Sequence, residues 1–348
     1  MADLSPDHRD VVAVGASAGG VEALRSLVGG LPPDYPGAVL VVLHVPREGP
    51  SALAKILDRS GPLPATTAVD DERLHHGHIY VAPNDHHLIV LDDRIRTTRG
   101  PAENGHRPAV DPLFRSVARA FGPRAVGVVL SGARDDGASG LAAIAARGGA
   151  TIVQDPADAL YPWMPQAAIQ RVAVDHIAPA AKIGGILIGI TAMDLPDSRT
   201  DAGDTSDAML DAEVAMAGLA AVTSDELATL PAGYGCPSCG GSLFEIEQAG
   251  PVPRYRCRVG HAWSPESLLD EQAIALEGAL WMALRALEEK SALSRRMAVS
   301  GLRRQSGTGS RFRDIAEEAE SAGATIRRLI ARIGSTGGAE ADTAPPPG

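Results

Sequence analysis

The stretch Val11–Gly20, VVAVGASAGG, constrains the fold of this chain more than any other. Its apolar run ends at Gly15, and apolar residues then recur at helical spacing over 21–28, which predicts a strand, a tight turn and a helix. The turn fits G-x-S-x-G, which exposes a serine hydroxyl at a helix N-terminus. Ser17 is therefore a candidate nucleophile, with neighbouring amide N–H groups for an oxyanion. The alternative is a turn that binds a phosphate or only turns the chain.

Polar residues follow two further apolar strands. His44 ends the run AVLVVLHV over 38–45, and the run AVGVVL over 125–130 leads into a glycine-rich turn with Asp135 and Asp136. Helices between these strands predict parallel βαβ units, whose strand ends meet at one edge of the sheet. The sequence thus predicts a doubly wound, mostly parallel α/β sheet with these side chains and Ser17 at one edge.

These side chains have the chemistry of a serine hydrolase. A histidine activates a serine when a carboxylate fixes its tautomer, so Ser17, His44 and Asp136 can serve as nucleophile, base and acid. Asp135 competes for the acid role. His44 can also be an ordinary packed residue, and an aspartate in such a turn can be a helix cap. The order Ser, His, Asp differs from that of the α/β-hydrolases, so we do not expect that fold.

The middle of this half carries weaker signals. The strands predicted over 78–81 and 88–91 flank Pro83-Asn84-Asp85, which indicates an antiparallel hairpin. The histidines over 75–87 lack metal-binding spacing, so we interpret them as mostly solvated and expect no metal there.

Several motifs occur in order from about Val11 to Ile190: GASAGG around Ser17, LHVP around His44, VAPNDHHL from Val81, GHRPAVDPLFRSVA from Gly105, SGARDDGASG around Asp136, and Met164-Pro165. Together they resemble the chemotaxis protein-glutamate methylesterases of the CheB type. The resemblance implies a triad of Ser17, His44 and Asp136, which favours Asp136 over Asp135. It also implies hydrolysis of glutamate methyl esters on chemoreceptor helical bundles through an acyl-enzyme on Ser17, with glutamine deamidation as a second activity and no catalytic cofactor.

The chain departs from the family pattern near the predicted site. Ala18 stands where a threonine often follows the nucleophile, and Ala133 and Arg134 alter the usual T-G-M-G-x-D-G turn. Ten residues precede the first predicted strand, so we expect a stand-alone enzyme without the receiver domain of the best-known members. Two other functions stay open: a non-catalytic scaffold that binds a receptor or sensor kinase, and an esterase for another carboxylate ester.

The second half carries a metal-binding pattern. Cys236 and Cys239 form C-x2-C, and Cys257 and His261 form C-x3-H after 17 further residues. These four side chains are the donors of a closed structural zinc site in a small ribbon. A redox pair would leave Cys257 and His261 unexplained.

Two amphipathic helices follow this ribbon. Ser264-Pro265-Glu266 is typical of a helix start, and an apolar stripe continues over 269–287 in a helix to about Val299. A second helix is predicted from about Arg311 to Ile333, with Gly334 as its end. We interpret the pair as a hairpin that buries its own seam; a coiled-coil dimer and a groove for receptor helices stay open. The predicted organisation is a catalytic domain (1–192), an acidic linker (193–231), a zinc-ribbon-like module (232–264), a helical hairpin (265–334) and a disordered tail (335–348).

Composition and local sequence indicate which partners and which cellular compartment to expect for the protein. A net charge of -11 gives no bulk electrostatic support for binding to nucleic acid or an anionic membrane. The charged N-terminus lacks the apolar stretch of a secretory signal, and the apolar run over 183–190 is too short to cross a bilayer. Three clustered cysteines argue against a disulfide framework. We therefore expect a cytoplasmic protein.

Overall fold

The computed structural model describes residues 8–48, 51–195, 208–218, 231–246, 253–303 and 308–337. The chain divides into two compact units, Met1–Leu268 and Leu269–Gly348. Its elements are, in order, β1 (Val11–Ala16), α1 (Gly20–Gly29), β2 (Ala38–Leu43), α2 (Leu53–Asp58), β3 (Ala65–Thr67), β4 (His78–Val81), β5 (His87–Leu91), β6 (Arg94–Thr98), α3 (Val110–Phe121), β7 (Ala125–Val129), α4 (Ala138–Ala146), β8 (Ala150–Gln154), α5 (Trp163–Arg171), β9 (His176–Ala178), α6 (Ala180–Thr191), α7 (Ala208–Ala217), β10 (Pro231–Gly235), β11 (Ser242–Ile246), β12 (Arg254–Cys257), β13 (Ala262–Trp263), α8 (Pro265–Arg303) and α9 (Thr308–Gly337).

The first unit is built on a parallel sheet of seven strands in the order β3-β4-β2-β1-β7-β8-β9. One face is covered by α1, α2 and α6, and the other by α3, α4, α5 and the β5–β6 pair. Because both faces are covered, β1 and β2 are buried at every position, as their continuous apolar runs require. The predicted α/β class with a parallel sheet is confirmed.

The antiparallel hairpin is present, but its strands are not the predicted ones. β5 pairs with β6 across the turn at Asp92-Asp93, where Asp92 adopts a φ of 56°. The segment 78–81 instead forms β4, which pairs in parallel with β2 and β3. The predicted pairing of 78–81 with 88–91 is therefore wrong. A two-residue connection gives β5 a nearer partner, and β4 is buried as a strand within the sheet.

Two of the histidines over 75–87 are less solvated than predicted. His87 is completely buried, with Nε2 2.9 Å from the carbonyl oxygen of Pro101, and its Nδ1 accepts the amide of Ala109. His76 lies 2.9 Å from the buried carboxylate of Asp10. For these two the solvated interpretation is wrong, because each has partners from segments that are remote in sequence.

Part of the predicted linker 193–231 is a packed helix. α7 buries Leu210, Val214 and Met216, and the carboxylate of Glu213 is buried with them. The polar composition around this helix hides an apolar face that packs near α3 and β5. The linker prediction is therefore wrong for 208–217, and residues 196–207 and 219–230 lie outside the described residues.

Strands β10 to β13 form a four-stranded antiparallel sheet that belongs to the first unit. We call residues 231–263 the ribbon. Its small core contains Cys236, Leu243, Cys257 and Trp263, together with Leu268 from the start of α8. The ribbon is therefore not a separate body on a linker.

A buried group of five charged side chains joins the ribbon to the parallel-sheet domain. We call it the ion cluster: Glu103, Arg115, Glu213, Arg254 and Arg256, with N···O distances from 2.5 to 3.5 Å. Burial raises the pKa of the carboxyls, but the three guanidinium groups outweigh it and lower the pKa of Glu213 to about 2. Charges are buried at such a depth when they are paired.

The second unit contains most of α8 and all of α9, which run antiparallel. Glu288 pairs with Arg327, and Arg295 pairs with Glu320 at 2.6 Å. α9 begins at Thr308 and continues to Gly337, so the predicted end at Gly334 is wrong; a glycine weakens a helix but does not stop it when the following residues continue the turn.

The predicted seam is only partly buried. Leu284 is buried, whereas Leu269 and Leu276 are exposed. The predicted tail 335–348 lies outside the described residues apart from the helical residues 335–337. No helix among the described residues is both long and apolar enough to cross a membrane.

Candidate active site

Three adjacent strands bring the predicted site residues together. Ser17 follows β1, His44 follows β2, and Asp136 lies in the turn between β7 and α4. After β1, the chain adds β2 on one side of this strand and later adds β7 on its other side. This reversal of strand order is the place where open α/β sheets form a crevice at their carboxyl edge.

The three side chains form a continuous hydrogen-bonded path. Nδ1 of His44 lies 3.1 Å from Oγ of Ser17, and Nε2 of His44 lies 2.7 Å from Oδ2 of Asp136. An ionised carboxylate can only accept, so we assign the ring proton to Nε2. Nδ1 then accepts the proton of the Ser17 hydroxyl. The structure therefore brings all three predicted residues into the arrangement of a nucleophile, a base and an orienting acid.

Asp136 is held at the N-terminus of α3. Its Oδ2 accepts the amide of Val110 at 2.7 Å, and its Oδ1 accepts the amide of Asp111 at 3.2 Å and Nδ2 of Asn104 at 3.1 Å. Burial raises the pKa of this carboxyl, but the contacts with His44 and the Val110 amide outweigh it and hold the pKa of Asp136 below its usual range. Asp136 is thus an anion at neutral pH.

Asp135, which competes for the acid role in the sequence, contacts the start of α8. Its Oδ1 accepts Oγ–H of Ser264 at 2.7 Å and Oγ–H of Ser267 at 3.0 Å. Burial raises the pKa of Asp135, although both hydroxyls oppose this shift. The structure therefore places Asp136, and not Asp135, against His44.

Asp111 completes the buried group of carboxylates behind His44. Its Oδ1 accepts the amides of Gly137 at 3.1 Å and Gly140 at 2.6 Å, so it caps the start of α4. Burial and the nearby charge of Asp136 raise the pKa of Asp111 to about 6. The turn that carries Asp136 is thereby fixed to α3.

Sequence reasoning missed two side chains next to this path. The ring of His106 stacks on that of His44, with centroids 3.7 Å apart and planes 11° from parallel. Burial, and then His44, lower the pKa of His106 to about 3, so its ring is neutral at pH 7. Asn104 supplies the side-chain amide that reaches Asp136. The dipeptide Asn104-Gly105 is its one sequence signal, because Asn tolerates the observed φ of 51° better than most residues.

The turn around Ser17 determines which amides can hold an oxyanion. The amide of Ser17 itself donates to the carbonyl oxygen of Ser131 at 2.9 Å. Within the described part of the chain, the amides of Ala18 and Gly19 have no acceptor, and they open α1 with Gly19 at a φ of 70°. The departure at Ala18 therefore removes a side-chain contact but leaves a backbone donor.

Close packing explains two glycines of the site. A Cβ at Gly15 would collide with Val110 of α3, so glycine lets the helix that holds Asp136 approach β1. A Cβ at Gly132 would lie 2.8 Å from Cβ of Ser17 and would also collide with Met164. The two turns are therefore in contact across the nucleophile.

The four predicted metal ligands also come together. The donor atoms of Cys236, Cys239, Cys257 and His261 all lie within 4.8 Å of one another. Sγ of Cys239 is 3.7 Å from Sγ of Cys257, which is 3.6 Å from Nδ1 of His261. Tetrahedral zinc with bonds of about 2.3 Å to sulfur and about 2.0 Å to nitrogen separates its ligands by about 3.5–3.8 Å. The donor set therefore fits a zinc ion.

Comparisons with known proteins match the part of the chain that contains Ser17, His44 and Asp136. Residues 12–187 match the family model described as CheB methylesterase. Over 186 residues, the chain is 41% identical to "Protein-glutamate methylesterase/protein-glutamine glutaminase 1" of Xanthomonas campestris pv. campestris, covering 52% of each chain. It is 36% identical over 190 residues to "Protein-glutamate methylesterase/protein-glutamine glutaminase 2" of Methanosarcina mazei, again covering 52% of each.

About half of the chain also matches a solved structure. The crystal structure of the Thermotoga maritima CheB methylesterase catalytic domain aligns with a TM-score of 0.50 and 30% identity, covering 52% of this chain and 97% of that one. The chain spans about half the length of the curated relatives it matches. Since the family model extends over just more than half of its residues, this chain belongs to the CheB methylesterase family.

Proposed function

We propose that the protein is a protein-glutamate methylesterase with Ser17 as nucleophile, His44 as base and Asp136 as orienting acid. The observation that carries the proposal is the path from Oγ of Ser17 through His44 to Asp136, which lies inside the family match. The names of the relatives support a methyl ester of a glutamate side chain as substrate and a glutamine side chain as a second one.

The geometry supports acyl transfer in two steps. Oγ of Ser17 attacks the ester carbonyl while Nδ1 of His44 takes its proton, and the amides of Ala18 and Gly19 stabilise the oxyanion. His44 then gives the proton to the departing methoxy oxygen, which leaves as methanol. Water attacks the acyl-serine with His44 again as base, and this releases the glutamate carboxylate and restores the Ser17 hydroxyl. Asp136 remains an anion throughout and stabilises the charged imidazole.

The proposal extends to the second half of the chain. Zinc held by Cys236, Cys239, Cys257 and His261 would supply structural stability and no chemistry, since the four ligands complete a tetrahedron. The pair α8–α9 is proposed as a helical hairpin for targeting or regulation. The partner would be a methyl-accepting chemoreceptor, whose helical bundle carries the substrate side chains, with a sensor kinase as a further candidate.

Methanol release from a methyl-labelled receptor bundle tests the proposal. Ser17→Ala should lower the rate by at least about ten-thousandfold, because the nucleophile is lost. The matched control is Ser26→Ala, an exposed serine in helix α1, which follows the turn that carries Ser17; it should keep the wild-type rate. Hydrolysis of small methyl esters without release from the receptor would indicate a different ester substrate. Receptor binding without hydrolysis of either would indicate a scaffold and contradict the proposal.

A further inference from the structure

Asn104 connects the carboxylate of Asp136 to the ribbon. Its Nδ2 donates to Oδ1 of Asp136 at 3.1 Å, and its Oδ1 accepts the amide of Ser264 at 2.9 Å. Its own amide donates to the carbonyl oxygen of Ala262 in β13 at 2.8 Å. The side chain is 2% exposed, so water does not compete for these bonds. Two hydrogen bonds in series thus join the start of α8 to the acid behind His44.

The orientation of Asp136 depends on both of its oxygens. Oδ2 contacts His44 and the Val110 amide, whereas Oδ1 is held by Nδ2 of Asn104 at 3.1 Å and by the amide of Asp111 at 3.2 Å. A carboxylate that loses one of the two donors on one oxygen is held less firmly against rotation about its Cβ–Cγ bond. Rotation of Asp136 would weaken the bond that orients the imidazole of His44.

The loop that carries Asn104 is fixed by the ribbon. The adjacent residue Glu103 is buried and pairs with Arg254 and Arg256 of β12 at 3.1 Å each. Asn104 also keeps a φ of 51°, a conformation that the surrounding contacts must maintain. Glu103 and Asn104 therefore both contact residues beyond 187, where the family match ends.

We propose that Asn104 is a positioning residue for Asp136 and that the ribbon, a segment outside the family match, holds Asn104 in place. The inference rests on the proposed function, because it assigns Asn104 a role in the reaction of Ser17. It makes the ribbon part of the support of the active site.

Asn104→Gly tests the first part, because glycine adopts a φ of 51° without strain and removes only the side-chain amide. Since hydrogen bonds to ionised groups are the stronger ones, we expect kcat to fall by about tenfold to a hundredfold with KM nearly unchanged. The matched control is Thr151→Val, which removes the hydrogen bond from the buried Thr151 hydroxyl to the carboxylate of Asp175, a contact that does not involve the site residues. It should keep the wild-type kcat even if it lowers the melting temperature.

A second variant and a spectroscopic readout separate positioning from folding. Asn104→Asp keeps an acceptor for the amide of Ser264 but loses the donor to Asp136, so its kcat should fall at least as far as that of Asn104→Gly. The low-field proton resonance of the His44 Nε2–H bond should shift in both variants and stay unchanged in Thr151→Val. Wild-type kcat and an unshifted resonance in Asn104→Gly would overturn the proposal. If the wild type releases no methanol, the proposed function fails, and the resonance still tests the positioning.

Cys239→Ser tests the second part of the proposal, that the ribbon holds Asn104 in place. Loss of metal, measured by elemental analysis, should lower kcat, and the same change in the Asn104→Gly background should lower it little further, because both act through one contact. Full additivity of the two changes, or wild-type kcat after verified loss of metal, would refute the role of the ribbon.

Discussion

Replacing Glu213 with glutamine tests whether α7 is part of the folded core. One oxygen of Glu213 accepts Arg254 at 2.6 Å and Arg256 at 2.8 Å, and the other lies 3.5 Å from Nε of Arg115. Glu213→Gln leaves three buried guanidinium groups with one carboxylate. Removing one partner of a buried ion pair costs about 3–5 kcal/mol. For a unit of this size we expect a decrease in melting temperature on the order of 10 °C.

The buried tryptophan of the ribbon provides the assay. Trp263 is 1% exposed, whereas Trp163 and Trp281 are partly exposed, so the red shift of tryptophan emission in urea reports mainly on Trp263. The control is Glu245→Gln in β11, an exposed glutamate whose loss should change the free energy of unfolding by less than about 0.5 kcal/mol. If the free energies of unfolding of Glu213→Gln and Glu245→Gln differ by less than about 1 kcal/mol, the reasoning from the ion cluster is refuted.

Two further predictions concern pH and metal. The pKa of His106 is lower in the folded protein than in the unfolded chain, so the native state binds fewer protons and the free energy of unfolding falls as pH decreases from about 6.5 toward 3. Urea titrations at pH 7 and pH 5 should show this fall, and His106 should contribute a slope of up to about 1.4 kcal/mol per pH unit. The variant His106→Asn should have a smaller slope. An equal slope in both proteins would contradict the assignment. Chelation should remove one zinc ion per chain and expose Trp263, because a ribbon of this size depends on its metal to fold; unchanged emission after verified removal of the metal would show that the ribbon folds without it.

The parts of the site that could be predicted from the sequence share one property. Ser17, His44 and Asp136 each follow a buried apolar strand, and parallel strands carry the residues after them to the same edge of the sheet. Strand order alone then brings the three close together. The Cys/His pattern was equally readable, because ligand spacing is set locally by the turns of the ribbon.

The features that could not be predicted depend on partners remote in sequence. Nothing near Glu213 indicates burial, because its counter-ions Arg254 and Arg256 lie about 40 residues away. The pairing of β4 was misread because an alternating or apolar run does not specify whether its partner is adjacent or remote. Asn104 looks like an ordinary turn residue until the chain returns at Ser264, 160 residues later.

Because Glu103 and Arg115 pair with charged side chains from the second half of the sequence, the two halves cannot be exchanged independently between proteins. A chimera that transferred residues 1–192 to another C-terminal partner would carry these two side chains without Arg254, Arg256 and Glu213. At the graft junction Glu103 and Arg115 would then be exposed to water, whereas both are buried in the native protein. Successful recombination within this family would have to move both halves of that junction together.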